Sequence, residues 1–429
     1  MKAKYACQSL SHTIARRDFL GALGGAGAIA GMNTIPAFQS QLLAAQVAAK
    51  KKRVLTVFLS GGASQLETWD PKPGTLNGGP FRAIPTSVPG VHISELLPLS
   101  AQHMHRMALI RSVNTAESDH GRSRYRIERG HKKSPTADYP HLGALVAKTT
   151  ELDKSTLPGH IHVSSGSGSR GSNAAYLGPK YSSIAVGTSG GLRNSQLPGG
   201  MTATLNDSRQ SFRRMANEQF LQRRRTAETD AYLQSFEQAE QLMQERDLFD
   251  VSKEPSKLLE EYGDHDLGKQ CLLARRLVEH GISYVQVSHS NYDTHAENFN
   301  FHIEQLGEFD QAFSALITDL DRRGLLESTL VLVLTEFGRT PKINNRYGRD
   351  HWGRGFSIAM AGCGLQHGGV IGAMSDDGMQ IKDREVNQAD LFHTYLEALG
   401  IDPTAEFDIG GRMIPIADPT GEAIEELLA

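Results

Sequence analysis

Cysteine is scarce: the chain of 429 residues holds three, Cys7, Cys271 and Cys363. Cys7 falls in a segment expected to be removed, and two cysteines exclude a disulfide framework. Cys271 lies in an amphipathic helical pattern and Cys363 in the glycine-rich stretch Ala361-Gly362-Cys363-Gly364, so both read as packed, unpaired thiols. Net charge is equally slight, −3 from 45 basic and 48 acidic residues, which leaves no electrostatic footprint for nucleic acid. The arginines crowded at 122–129 and 213–225 read as solvated helix faces. No apolar run is long enough for a stable membrane span, and no fixed-period repeat suggests a solenoid. What remains is a globular composition, 39% hydrophobic and 22% charged, with material for a sizeable core.

The N-terminus is informative. Arg16-Arg17-Asp18-Phe19-Leu20 precedes a weakly apolar, glycine-rich stretch over 21–35, followed by Pro36-Ala37. That layout is expected of a twin-arginine signal. A buried helix is the poorer reading, because glycine is costly in helix interiors. Residues 1–45 are therefore expected to be signal and linker, with the mature start between Ala37 and Lys50. The twin-arginine translocase is the implied partner, and the implied destination is the periplasm or cell surface.

Residues 46–429 are expected to form one α/β domain. The nearly continuous apolar run over 53–60 ends in Gly61-Gly62 and reads as a strand buried on both faces. Helical spacing over 267–280 stops at Gly281, and a β-type run follows at 282–287. A long helix is expected at 299–323, strands at 330–334 and 355–361, and a closing helix at 388–399. Such alternation predicts a largely parallel sheet with helices on both faces. Residues 164–200 are loop-rich. The charged stretch at about 206–250 reads as a helical insertion, with Tyr232, Phe236, Ala239 and Met243 on one apolar face.

Ligands of parallel α/β sheets collect at the carboxyl ends of strands, so polar residues just after strand patterns matter most. Four clusters qualify: Gly61-Gly62-Ala63-Ser64 with Glu67 and Asp70; Asp119-His120 with Arg122, Arg124 and His131; His289 to His295; and Thr335-Glu336-Phe337-Gly338-Arg339 with Asp350-His351. Carboxylates joined to imidazoles suit a divalent metal, so Asp293, His295, Glu336 and His351 are candidate ligands for zinc, calcium or magnesium. Two other readings stay open. Asp293-Thr294-His295 equally describes a turn whose Asp caps a helix beginning near Ala296, and His351 a satisfied buried histidine.

The strings VFLSGGASQLETWDPKPG, LLARRLVEHGISYVQVSHSNYDTHAENF and VLTEFGRTPKINNRYGRDHWGRGF resemble domain-of-unknown-function family 1501 over essentially the whole mature chain. The resemblance implies an alkaline-phosphatase-like fold shared with sulfatases. It implies metal ligands at Asp293 and His295, a Glu336 in place of an Asp, Phe337 in place of a His, and a downstream His at His351. In the nucleophile region, His120-Gly121-Arg122-Ser123-Arg124 matches the spacing of the sulfatase motif with His120 where the nucleophile stands. The usual first-strand Asp is replaced by Gly61-Gly62, with Glu67 or Asp70 as candidate substitutes.

Two functions follow as expectations. The first is a metal-dependent hydrolase of phosphate or sulfate esters, in which His120 serves as base, ligand or nucleophile and Arg124 steadies the oxyanion. The second is a non-catalytic binding or assembly module, for example for sulfated or phosphorylated glycans, because a shared fold does not fix function.

Overall fold

The structure is a computed structural model describing residues 52–428 apart from 136, 151–156, 165–172, 189–196, 198 and 224–226. The expected twin-arginine signal lies outside the described residues. The described chain belongs to one compact unit, Gln46–Ala429.

In chain order the elements that frame the site are β1 (Arg53–Leu59), β2 (Met107–Asn114), α1 (His120–Arg129), α2 (Leu142–Thr149), β3 (His160–Val163), β4 (Ile184–Val186), α3 (Ala203–Arg223) and α4 (Ala227–Gln244). There follow α5 (Asp266–Glu279), β5 (Tyr284–His289), α6 (Asn298–Arg322), β6 (Thr329–Leu334), β7 (Gly338–Arg339), β8 (His351–Trp352), β9 (Arg354–Ala361), β10 (Val370–Ile371) and α7 (Gln388–Ala398). Eight strands form one sheet in the order β10-β2-β9-β6-β1-β5-β3-β4. β1 runs parallel to both β5 and β6, pairing Val57 with Val287 and Val333. β9 alone runs against its neighbours β2 and β6. The sheet is mostly parallel, and the fold is α/β.

β1 reads as continuously apolar because both of its faces are covered. Leu55, Val57 and Leu59 pack with Leu273 and Leu277 of α5 and Phe309, Phe313 and Leu316 of α6. Val54 and Phe58 point the other way, to Ile127 of α1, Leu145 of α2 and Phe392 and Leu396 of α7. The period-2 alternation of a strand thus feeds two cores with helices on both faces. Burying each such side chain contributes about 1.5–3 kcal/mol. α7 is pinned by a capping box in which Asn387 accepts from the amides of Ala389 and Asp390, and Asp390 accepts from Asn387.

Two helices occupy the charged stretch near 206–250. α3 stands off the core: none of residues 203–220 is buried, and Leu205, Phe212, Met215 and Phe220 face solvent. It meets α4 through Arg214, which donates to both carboxylate oxygens of Glu240 at 2.9 and 3.0 Å. No helix among the described residues is long and apolar enough to cross a membrane.

What matters for the site is one edge of the sheet. β2, β6, β1 and β5 run in the same direction, so the loops leaving their carboxyl ends meet there. The β7–β8 ribbon, in which His351 pairs with Arg339 and Trp352 with Gly338, folds the chain after β6 back over that edge.

Candidate metal centre

Two loops, one helix start and one strand start bring the polar residues together. His120 opens α1, where Asp119 caps the helix by accepting from the Arg122 amide at 2.9 Å. Asp293 and His295 lie between β5 and α6, Glu336 directly follows β6, and His351 begins β8.

The imidazoles share one arrangement. Nδ1 of His351 donates to the Ser118 carbonyl at 2.8 Å, Nδ1 of His295 to Asp350 at 2.7 Å, and Nδ1 of His120 to Glu336 at 3.0 Å. Each partner is an acceptor, so each Nδ1 carries a proton, and each Nε2 would present its lone pair to an ion bound between the rings. All three Nε2 atoms face the Asp293 carboxylate, at 3.1 Å for His351, 3.2 Å for His295 and 3.3 Å for His120. The Nε2 atoms of His295 and His351 are 3.0 Å apart. His120, Asp293 and His351 form a group able to hold a metal ion, their ligand atoms lying within 4.8 Å of one another.

The donor set fits a metal on two counts. Ligands at about 2.0–2.1 Å around a tetrahedral zinc ion are separated by about 3.3 Å, close to the spacings here. Histidines that bind metals also hold their remaining N–H against a carboxylate or carbonyl, as all three do here. Electrostatics agree. The hydrogen bond that His120 donates to Glu336 raises its pKa against the cost of burial, with Asp293 adding to it, so the surrounding anions favour a cation at that place. Against the cost of its burial, Asp293 is held at about 2 by Arg339 and His351. Phe337 packs under the rings of His351 and His120, with centroids 4.4 and 4.9 Å away, and limits their rotation.

A family model described as "Protein of unknown function (DUF1501)" matches residues 51–428. The chain belongs to the DUF1501 family. Among curated proteins none matches at a significant level. Among solved structures, the lipoteichoic acid synthase LtaP from Listeria monocytogenes is 10% identical with a TM-score of 0.40, covering 88% of this chain and 80% of that one. The PsFucS1 sulfatase from Pseudoalteromonas sp. is 14% identical at a TM-score of 0.38, with 86% and 72% covered. The alkaline phosphatase from the Antarctic bacterium TAB5 is 14% identical at 0.36, with 81% and 98% covered. Superpositions this loose carry no residue roles across.

Other expected site residues of this DUF1501 chain stand elsewhere. Glu336, an expected ligand, lies behind His120: one carboxylate oxygen takes His120 Nδ1–H and the Gly61 amide, the latter at 2.8 Å, while the other is buried without a partner. Arg124 does not touch the group. Helical periodicity turns it toward Phe58, 4.4 Å below its guanidinium, and it pairs with Glu128 at 2.8 Å. It lines a separate cavity of about 200 Å³ with His141, His160, His162 and Gln286. His131 stacks on Tyr139 at 3.7 Å, and burial pushes its pKa down to about 4.

Neither candidate for the missing first-strand carboxylate reaches the centre. Glu67 is fully buried and holds Arg349 at 2.8 and 3.1 Å, and Asp70 holds Lys72 at 2.9 Å. The turn after β1 instead receives Arg339, whose guanidinium contacts Gly61, Gly62 and Asp293. Ser118 is not among the expected residues, and Asp350 and Arg339 stand in an expected cluster to which no role was given. Asp350 and Arg339 do have a signal, since both fall in the quoted strand-end motif beside assigned residues.

Proposed function

We propose that this DUF1501 protein is an exported hydrolase of phosphate or sulfate esters, sulfated or phosphorylated glycans included, that works with one divalent cation. The observation that carries the reading is the convergence of three Nε2 atoms on Asp293 with all three Nδ1 atoms tied back. Three nitrogens to one carboxylate favour zinc over calcium or magnesium, which seek oxygen. Bound there, such an ion would supply Lewis acidity toward an ester oxygen. His120, His295 and His351 would hold it, each aligned by its own Nδ1 partner. Asp293 and His120 have side chains 47% and 42% exposed, so an anionic ester has access from solvent.

A second reading, a binding or assembly module, is favoured by two observations. Arg124 is turned away from the group, so the arginine expected to steady an oxyanion is not beside it. Four protein donors also resemble the closed shell of structural metal sites. Metal analysis of protein purified from its native export route, followed by a panel of phosphate and sulfate esters, separates the two. Zinc with ester turnover supports the hydrolase. Zinc without turnover favours the module, and absence of any bound divalent metal defeats both forms of the metal reading.

Export by the twin-arginine translocase belongs to the same proposal. Replacing Arg16 and Arg17 by Lys should retain the precursor in the cytoplasm, and undiminished export of that double variant removes the reading.

A further inference from the structure

Arg339 is a fully buried charge at this edge of the sheet, as Arg349 is, and its surroundings are built around it. The residue has no exposed surface. Its Nε donates to the Gly62 carbonyl at 2.9 Å, Nη1 to the Arg349 carbonyl at 3.0 Å, and Nη2 to the Gly61 carbonyl and to Asp293 Oδ1, the latter at 2.6 Å. Its own backbone is fixed as well. The Gln65 amide accepts from Arg339 N at 3.0 Å and donates to Arg339 O at 2.8 Å.

The turn that receives the guanidinium tolerates only glycine. Gly61 and Gly62 have φ of +116° and +90°, in the region that L side chains avoid. A Cβ on Gly61 would stand 2.5 Å from the Asp293 amide, and one on Gly62 2.5 Å from the Phe337 ring. Backbone carbonyls, Asp293 and the glycine turn thus close on a planar, five-donor cation in a way that a lysine could not reproduce.

Two consequences follow for Asp293. Oδ1 is engaged by the guanidinium and also faces Nε2 of His295 and His351, while Oδ2 is the oxygen nearest His120, at 3.3 Å. Charge is limited too. Asp293, Glu336 and Asp350 bring three negative charges and Arg339 one positive, so one divalent ion brings the site to neutrality. A second ion would leave two positive charges in a partly buried place, where like charges repel with little screening.

We infer that Arg339 is a positioning residue that serves as the built-in second cation of this site: it fixes Asp293 and restricts the centre to one bound divalent ion per chain. The inference rests on the reading that His120, His295, His351 and Asp293 bind an ion.

Native mass spectrometry and competitive zinc titration of the mature protein test it without any appeal to activity. Wild type should take up one zinc per chain. R339K keeps the charge and loses the fork, so it should still take one zinc, with affinity about 10- to 100-fold weaker because Asp293 is no longer held. R339M removes the charge and should admit a second equivalent. Wild type that binds no zinc defeats the metal reading itself. Wild type that binds two, or R339K with unchanged affinity, overturns the role of Arg339 while leaving the metal reading intact. Should R339M not fold, the wild-type count and the R339K affinity decide.

Discussion

Around His120 the imidazoles aim their free nitrogens at one carboxylate, whereas around Arg124, one turn further along α1, each imidazole faces a partner of its own. The second group holds His141, whose Nδ1 accepts from the Gly143 amide at 2.9 Å, and His160, whose Nδ1 donates to the Tyr181 carbonyl at 3.2 Å. It also holds His162, 2.9 Å from the Ser288 hydroxyl. Both groups hold three histidines, a glutamate and an arginine, and the first adds Asp293 and Asp350. Their exposures differ, since His141, His160 and His162 are at most 5% exposed, while the side chains of His120, His295 and His351 lie between 22% and 42%. Clustered histidines alone therefore do not make the candidate centre. A shared target for the ring nitrogens and a route to solvent do.

The sharpest test of that difference is loss of metal. His295→Ala and His351→Ala should each lower the zinc content of the purified protein at least about tenfold, since each removes a direct donor. His160→Gln and His162→Gln should leave it unchanged. Elemental analysis checks both arms, and equal losses in the two groups would erase the distinction drawn here.

A stability effect comes next. The first group rests on the buried pair of Glu67 and Arg349, both without exposed side-chain surface, and Arg349 also donates to the Asn77 carbonyl at 2.8 Å. Removing one partner strands a buried charge, so Glu67→Ala should cost about 3–5 kcal/mol. Urea denaturation measures it. A loss below about 1 kcal/mol would mean that the floor under the centre does not depend on this pair.

Smaller again is the effect of Glu336, which orients His120 from behind. Glu336→Gln replaces a charged acceptor by a neutral one and places an amide where the second carboxylate oxygen is already buried without a partner. Zinc affinity should weaken about tenfold. An unchanged titration would show that His120 needs no anion behind it.

How much of this was legible in sequence follows from the range over which each signal acts. β1, β6, β9, α6 and α7 announce themselves through continuous apolar runs or helical spacing, and each lies within a residue or two of its expected bounds. β2 escaped notice because Arg111 interrupts its apolar run, and β3 because His160 and His162 are polar although both are buried. Asp293, His295 and His351 were placed by the rule that ligands gather at strand ends. The position of Arg124 depended on spacing alone, and a helix turns 100° per residue, so matching the spacing of a motif does not match its direction. Arg339 stood in a strand-end cluster, but its role was not legible, because its partners Gly61 and Gly62 lie more than 270 residues away and only the parallel pairing of β1 with β6 brings them together.

The last contrast is one of protonation. His160 is nearly fully buried, and that burial, reinforced by the neighbouring His141, drives its pKa well below 6.5, with only the Tyr181 carbonyl and Glu128 opposing. In the unfolded chain the same ring titrates near 6.5. Between those two values the unfolded protein binds a proton that the folded protein refuses, so stability is fully present above about pH 6.5 and falls as the pH is lowered. One such group contributes a slope of at most about 1.4 kcal/mol per pH unit. His160→Gln should remove that contribution, leaving a shallower decline between pH 6.5 and 5. Urea midpoints of both proteins, each stripped of metal so that release of a bound ion adds nothing, give the comparison directly. The other buried histidines are common to wild type and variant, so the difference in slope belongs to His160. Parallel curves would mean that His160 accepts its proton in the folded state, and the neutral character assigned to the second group would fail with it.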